Sequence, residues 1–282
     1  MSLDRPIELF SDLATFASRT PTLPPATHTN CYAIGGKEVL LVEPATPYPD
    51  EQRAMMEWVR DLERAGRKIV GIVLTHHHRD HAGGIPFFKR ELQVPVLAHR
   101  STAERLDDWI EVDRLIDEGE LLKLEGAETN GFRVLHTPGH APGHICLHDE
   151  DRGIAIVGDM VASVGTILIE PTDGDMTAYL EQLARLSKLE ATVALPSHGE
   201  PIREPTQLFE RYISHRKMRE ERVLDALRGS PRATPSALLA SVYADTPPSV
   251  WPLALLSLRA HLIKLEREGR VVKGEGERYE VV

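Results

Sequence analysis

Residues 69–84 read Ile-Val-Gly-Ile-Val-Leu-Thr-His-His-His-Arg-Asp-His-Ala-Gly-Gly. The opening apolar run predicts a strand buried on both faces. It stops at Thr75. His76, His78, Asp80 and His81 then place four metal-binding side chains within six positions. His76 and His78 are two apart, so in extended chain their rings point to one side and can grip one cation. Asp80 and His81 follow as the chain turns, within reach of a second cation beside the first. Imidazole and carboxylate suit borderline cations such as zinc. Gly83-Gly84 and the apolar stretch Ile85 to Phe88 open a helix that runs on to Leu92. A solvated histidine run has no reason to sit between a buried strand and a glycine-marked helix. His77 alternates away from the pair and is read as a bystander.

Working outward, Gly131 to His136 reads as a strand, followed by His136-Thr-Pro-Gly-His140-Ala-Pro-Gly-His144. Pro138 and Gly139 force a tight turn that fixes His140 at a strand end, which suits a ligand. His136 and His144 read equally as hydrogen-bond partners behind a ligand or as polar loop histidines. Ile145 to His148 and Ile154 to Val157 form a hairpin that delivers Gly158-Asp159. A carboxylate after a buried strand is costly unless it meets a cation, so Asp159 is read as a bridging ligand rather than a cap. Thr192 to Leu195 is a last strand, ending in Pro196-Ser-His198-Gly199. His99, after the strand Val94 to Ala98, reads as a surface histidine. Before the motif, residues 1–27 are polar and proline-dotted. Thr29 to Ile34 and Val39 to Glu43 pair across a two-residue Gly35-Gly36 turn. Residues 50–65 form a helix with Met55, Val59 and Leu62 on one face.

The order His76-X-His78-X-Asp80-His81, then His140, Asp159 and His198, resembles the signature of the metallo-β-lactamase superfamily over roughly residues 28–204. The resemblance implies an α/β fold, a four-layer αβ/βα sandwich with a two-metal site at one edge. It implies that His76, His78 and His140 hold a first zinc ion. Asp80, His81 and His198 would hold a second, with Asp159 bridging the two. Iron or manganese fits the same ligand types. Two such cations share a hydroxide at neutral pH, and Asp80 is the expected catalytic residue that orients it. Antibiotic-degrading members that resemble this loop lack an equivalent of Asp159, so thioesterase, lactonase and phosphodiesterase chemistry is expected instead. The 39 positions from Asp159 to His198 are too few for the inserted domain of one RNA-processing branch.

The 282 residues are 41% hydrophobic and 27% charged, room for one large soluble domain and a small one. No apolar run approaches the ~18 residues of a membrane span. Met-Ser-Leu-Asp-Arg-Pro at the start lacks a signal peptide's apolar core. Cys31 and Cys146 sit in apolar surroundings and read as small core residues, which fits a cytoplasmic location. The net charge of −10 argues against indiscriminate nucleic-acid binding. It divides unevenly, −13 over residues 1–204 and +3 over 205–282, which predicts a catalytic domain over 1–204 and a second module over 205–282.

That tail reads as a long helix from Pro205 to Arg228, helices over 234–243 and 250–268, and a terminal hairpin. The arrangement resembles a winged helix. With His215-Arg216-X-X-Arg219-Glu220 ahead of it, the chain resembles the beta-lactamase-like protein 2 group. That group implies hydrolysis of thioesters or cleavage of single-stranded RNA. The basic helix reads as a solvated face, with His215 and His261 as helix-face residues. The winged helix reads as a lid, since +3 is weak for phosphate binding. The expected function is a dinuclear zinc hydrolase of an ester, thioester or phosphodiester, with a small acyl substrate or single-stranded RNA. A nucleic-acid-binding regulator with an inert lactamase-fold domain is the non-enzymatic alternative.

Overall fold

The apolar runs of the first 115 residues pair into one seven-stranded sheet in chain order. Its strands are β1 (Ile7–Phe10), β2 (Leu13–Arg19), β3 (His28–Ile34), β4 (Glu38–Val42), β5 (Lys68–Val73), β6 (Val96–Ala98) and β7 (Arg114–Leu115). The computed structural model describes residues 5–106 and 108–282; the signal-peptide reading rests mainly on residues 1–4, outside them. Side chains alternate along β3 and β4 between two cores. Cys31, Ala33, Val39 and Leu41 pack with Met55, Val59 and Phe88 of helices α1 (Pro49–Arg64) and α3 (Ile85–Leu92). Tyr32, Ile34, Leu40 and Val42 pack instead with a second sheet. A one-residue slip would exchange the two faces, so burial on both sides locks the register.

The second sheet has the order β12, β11, β10, β9, β8, from β8 (Leu121–Leu122), β9 (Phe132–His136), β10 (Ile145–Asp149), β11 (Ile154–Gly158) and β12 (Val193–Pro196). Phe132, Val134, Ile145, Leu147, Ile156 and Leu195 are its contribution to the shared core. Two short helices, α2 (Arg79–Ala82) and α4 (Arg100–Leu106), stand after β5 and β6.

The N-terminal stretch expected to be loop contains β1 and β2, with Leu13, Ala14 and Phe16 buried. Its prolines misled the reading: Pro21, Pro24 and Pro25 fall after β2, where no ladder N–H is required. The Gly35-Gly36 turn is also wider than two residues, because the ladder closes at Ile34 and Leu40. Backbone groups within it pair elsewhere. Gly35 N–H donates to Asp12 at 2.9 Å, Glu38 N–H to Glu125 at 3.0 Å, and Lys37 C=O accepts from Lys68 at 2.7 Å.

The chain forms two compact units. The first takes residues 1–137, 143–165 and 190–205; the second takes 138–142, 166–189 and 206–282. The second contains α5 (Met176–Leu186), α6 (Pro205–Gly229, less its first residue), α7 (Pro235–Val242), α8 (Trp251–Arg267), β13 (Val271–Gly274) and β14 (Arg278–Val281). Val223, Leu227, Leu238, Val242, Leu258, Leu262, Val271 and Tyr279 form a core among these elements. Three helices and a hairpin around one core are the winged helix that the sequence predicts. Thr234 caps α7 by accepting from Ala237 N–H, and Pro235 occupies its first turn.

The basic stretch of α6 is not a solvated face. Arg216, Arg219 and Glu220 are buried, and His261 of α8 is fully buried. Among the described residues no helix is long and apolar enough to cross a membrane.

Candidate metal centre

Parallel pairing sets the location of the site. β4 and β5 run parallel, so Glu43 and the loop after Thr75 emerge at the same edge. β11 and β12 run parallel, so Asp159 and His198 emerge together. The two edges are stitched to each other. Ile145 N–H donates to Thr75 C=O at 2.9 Å, Asn30 N–H to Ser197 C=O at 2.8 Å, and Ser197 N–H to Gly158 C=O at 3.1 Å.

There Asp80, His81 and His198 bring one ligand atom each within 4.8 Å of one another. His81 Nε2 lies 3.7 Å from Asp80 Oδ2 and 3.5 Å from Asp159 Oδ2. His198 Nε2 lies 3.7 Å from Asp80 Oδ2 and 3.4 Å from Asp159 Oδ1. These separations are long for hydrogen bonds. The shorter two come near the edge of a tetrahedron with arms of about 2.0–2.1 Å, about 3.3–3.4 Å, and the two to Asp80 are longer. Among the described residues, fully buried His81 Nε2 meets only these carboxylates, at 3.5 Å or more, so the donor set fits a cation.

The charges bear this out. Burial pushes the Asp159 carboxyl up, but His198 and His81 outweigh it and hold it well below the usual carboxylate range. Burial lowers the His81 pKa, yet Glu43, Asp80 and Asp159 together drive it well above the usual value. His198 is raised too: burial works against it, and Asp159 prevails. Carboxylates around both rings therefore make this pocket favourable to positive charge.

The other face of each ring explains which nitrogen is offered. Thr75 hydroxyl donates to Glu43 and so accepts from His76 Nδ1 at 2.9 Å. His81 Nδ1 faces Glu43 Oε1 at 3.0 Å. His198 Nδ1 donates to His28 C=O at 2.9 Å. With the proton on Nδ1, a neutral ring presents its lone pair at Nε2. His78 is turned the other way, its Nδ1 3.1 Å from His76 Nε2.

Glu43, which reads in the sequence only as the end of a strand, belongs to the site. It is 1% exposed and also accepts from Ser197 hydroxyl at 2.6 Å. Burial raises its pKa, but His81 and the bonds from His81, Ser197 and Thr75 bring the net below the usual carboxylate value. The signal that identified Asp159, a carboxylate closing a buried strand, was equally present at Glu43. Thr29 hydroxyl bonds Asp80 C=O at 2.8 Å, and Asn30 amide bonds Pro196 and Gly199 carbonyls at 2.9 and 2.8 Å. Strand β3 therefore holds both the loop of Asp80 and the turn of His198.

His144 stands behind Asp159. Its Nε2 accepts Asp159 N–H at 3.0 Å, and its Nδ1 faces Thr137 hydroxyl at 2.8 Å. Gly158 has φ +51°, and a Cβ there would come within 2.4 Å of His144 Nε2, so a side chain would displace the ring. His99, expected at the surface, is buried at 8% exposure and stacks on His136 with centroids 4.0 Å apart. Its Nδ1 accepts Ser101 N–H at 3.2 Å, so it caps the start of α4. Cys31 and Cys146 are buried, as expected, and are not joined in a disulfide.

His140 belongs to the second unit, in the segment 138–142. Its Nδ1 donates to Leu168 C=O at 2.9 Å, so this ring also presents Nε2.

Comparison with known families finds a match to the metallo-beta-lactamase superfamily over residues 24–198 and to the beta-lactamase associated winged helix domain over 234–278. A beta-lactamase-like protein 2 homolog of Drosophila melanogaster is 30% identical over 267 residues, 90% of this chain and 88% of the relative. An atrochrysone carboxyl ACP thioesterase of Aspergillus chevalieri is 29% identical, covering 86% of this chain and 77% of the relative. A crystal structure of a metallo-beta-lactamase family protein from Thermus thermophilus is similar with a TM-score of 0.79 at 26% identity, over 98% of this chain and 100% of the other.

Proposed function

The chain belongs to the metallo-beta-lactamase superfamily and is a metal-dependent hydrolase of it; on that premise we propose a dinuclear zinc enzyme acting on a small acyl ester or thioester. The observation that carries this is the convergence of Asp80, His81 and His198, with Asp159 3.4–3.5 Å from both imidazoles. We assign His76, His78 and His140 to one zinc ion and Asp80, His81 and His198 to the other, with Asp159 between them. His140 enters on its place in the motif and its Nε2-presenting ring. Thr137 and Gly143 are each three residues away, so chain length alone keeps its Cα within about 11 Å of both. Iron or manganese in place of zinc would use the same donors.

Cations held by these residues would activate a water at neutral pH and offset negative charge that develops on the substrate. Glu43, Thr75 and His28 hold the ligand rings in one tautomer. Asp80 is the most accessible ligand of its cluster, with 18% of its side chain exposed, and is assigned to orient the attacking water. His144 fixes the backbone of Asp159.

An acyl substrate is favoured by the lip of the site. Thr22 hydroxyl lies 3.5 Å from His198 Nε2, and Ser163 N–H donates to His198 C=O at 3.3 Å. Their neighbours Leu23 and Val164 are 48% and 61% exposed. An apolar lip beside a ligand suits an acyl chain, whereas a phosphodiester backbone needs lysine and arginine. Buried thiols outside any disulfide fit a reducing cytoplasm. We keep 1–204 as the catalytic and 205–282 as the winged-helix region; the compact units cut differently because 138–142 and 166–189 pack with the tail.

The test is a metal-to-protein ratio followed by a panel of acyl thioesters beside unstructured RNA. About two zinc ions per chain and thioester cleavage lost on chelation are expected. Metal-free active protein overturns the metal reading; RNA cleavage without acyl cleavage overturns the substrate.

A further inference from the structure

The motif His215-Arg216-X-X-Arg219-Glu220 has no part in the chemistry above, yet Arg216 is 2% exposed. Burying a guanidinium is costly unless its donors are used. Arg216 donates to Ile167 C=O, and its Nη2 lies 3.2 Å from Thr166 hydroxyl. The next residue, Leu168, carries the carbonyl that accepts His140 Nδ1–H at 2.9 Å.

The opposite side of the same turn is held as well. Gly139 has φ +137°, and a Cβ there would lie 2.3 Å from the Cα and N of Tyr179. Gly139 C=O accepts Asp175 N–H at 2.8 Å. Asp175 caps α5 through Thr177 and Ala178, and Arg267 of α8 pairs with its other oxygen. Arg216 reaches this side too, its Cζ 5.6 Å from the centroid of the Tyr179 ring. The turn carrying His140 is thus clasped between residues 166–168 and 175–179, and one arginine touches both jaws.

We infer that Arg216 is a positioning residue for His140: it pins the 166–168 segment so that Leu168 C=O holds the Nδ1–H tautomer and aims Nε2 at the cation. The inference rests on the reading of His140 as a ligand. It gives the C-terminal region a part in metal binding with no nucleic acid involved. Both bonds leave Nη2, so a lysine ammonium could make them, but it lacks the planar guanidinium that faces the Tyr179 ring.

Co²⁺ titrated into metal-free full-length protein, followed by its visible absorption, reads each site separately. His140→Ala should lose one of two Co²⁺ ions. Arg216→Met should weaken that same site by about 10–100-fold and leave the other unchanged, the usual cost of losing a group behind a ligand. Arg216→Lys should recover part of the loss. Nitrogen-15 NMR of the metal-free protein should show His140 protonated at Nδ1 in the parent and a tautomer mixture in Arg216→Met. Wild-type binding at both sites in Arg216→Met, with one site lost in His140→Ala, overturns the inference and spares the ligand reading. Two intact sites in His140→Ala overturn both. Should Arg216→Met fail to fold, Arg216→Gln, whose shorter amide cannot reach residues 166 and 167, decides: parent affinity and a pure tautomer there overturn the inference.

Discussion

Two clusters in this protein are each built around a buried carboxylate and a buried imidazole and end in opposite states. In the first unit, Glu43, Asp159, His81 and His198 lie with Asp80 and no lysine or arginine among them. The carboxylates of Asp80 and Asp159 face the imidazoles of His81 and His198 at 3.4–3.7 Å, and Glu43 meets His81 Nδ1 at 3.0 Å. In the second unit, Glu220 meets Lys264 at 3.0 Å, Lys264 meets Glu268 at 2.7 Å, and Arg219 meets Asp245 at 2.7 Å. Fully buried His261 sits 3.5 Å from Glu220, and burial lowers its pKa. The second cluster brings its own cations and closes on itself. The first lacks them and leaves a place for external ones. A buried carboxylate therefore signals metal only when no cationic side chain accompanies it.

Substitutions can break this contrast. The largest effect is expected for Asp159→Asn. It removes the anion shared by both imidazoles, and kcat/KM should fall by about a thousandfold with loss of metal by elemental analysis. A fully loaded, active Asp159→Asn protein would show that the carboxylate of Asp159 is not needed to hold the metal. Glu43→Gln should weaken zinc binding by about 10–100-fold in chelator competition, because His81 loses the acceptor that fixes its tautomer. Glu220→Ala should act on stability alone. It leaves Lys264 with Glu268 only, and denaturant unfolding should show a loss of about 2–3 kcal/mol with unchanged metal content. Metal loss in that variant would erase the distinction between the clusters.

The smallest effect concerns His215. Burial, helped by Arg216 and Arg219, lowers its pKa to about 4. The unfolded chain takes up this proton near pH 6.5. The stabilising effect of the neutral ring is intact above that pH and is lost as pH falls towards about 4. Thermal melts across this window should decline less steeply in His215→Gln than in the parent. Parallel declines would show that the ring is neutral in neither state or in both.

Legibility in the sequence followed the range of the forces involved. The loop from His76 to His81 was readable because strand, ligands and helix entry are contiguous, and each is set by neighbours a few residues away. Asp159 and His198 were readable for the same reason: each directly follows a short buried strand. The long helices and the terminal hairpin carried their own periodicity and glycine stops. Strands β1 and β2 were lost because prolines in the following loop outweighed Leu13, Ala14 and Phe16. Glu43 carried a local signal that was overlooked.

Other roles had no local signature. His144 and His136 are alike in sequence, yet one receives Asp159 N–H and the other stacks on His99. Arg216 looked like a surface cation, and only the approach of residues 166–168 makes it a buried donor. Spacing along the chain settles which groups can bind a cation, since side-chain direction repeats over two to four residues. Which nitrogen each ring offers, and what holds it there, is settled by partners such as Glu43 for His81 and His28 for His198, 38 and 170 positions away. Hydrogen bonds at that separation exist only once the sheets have paired.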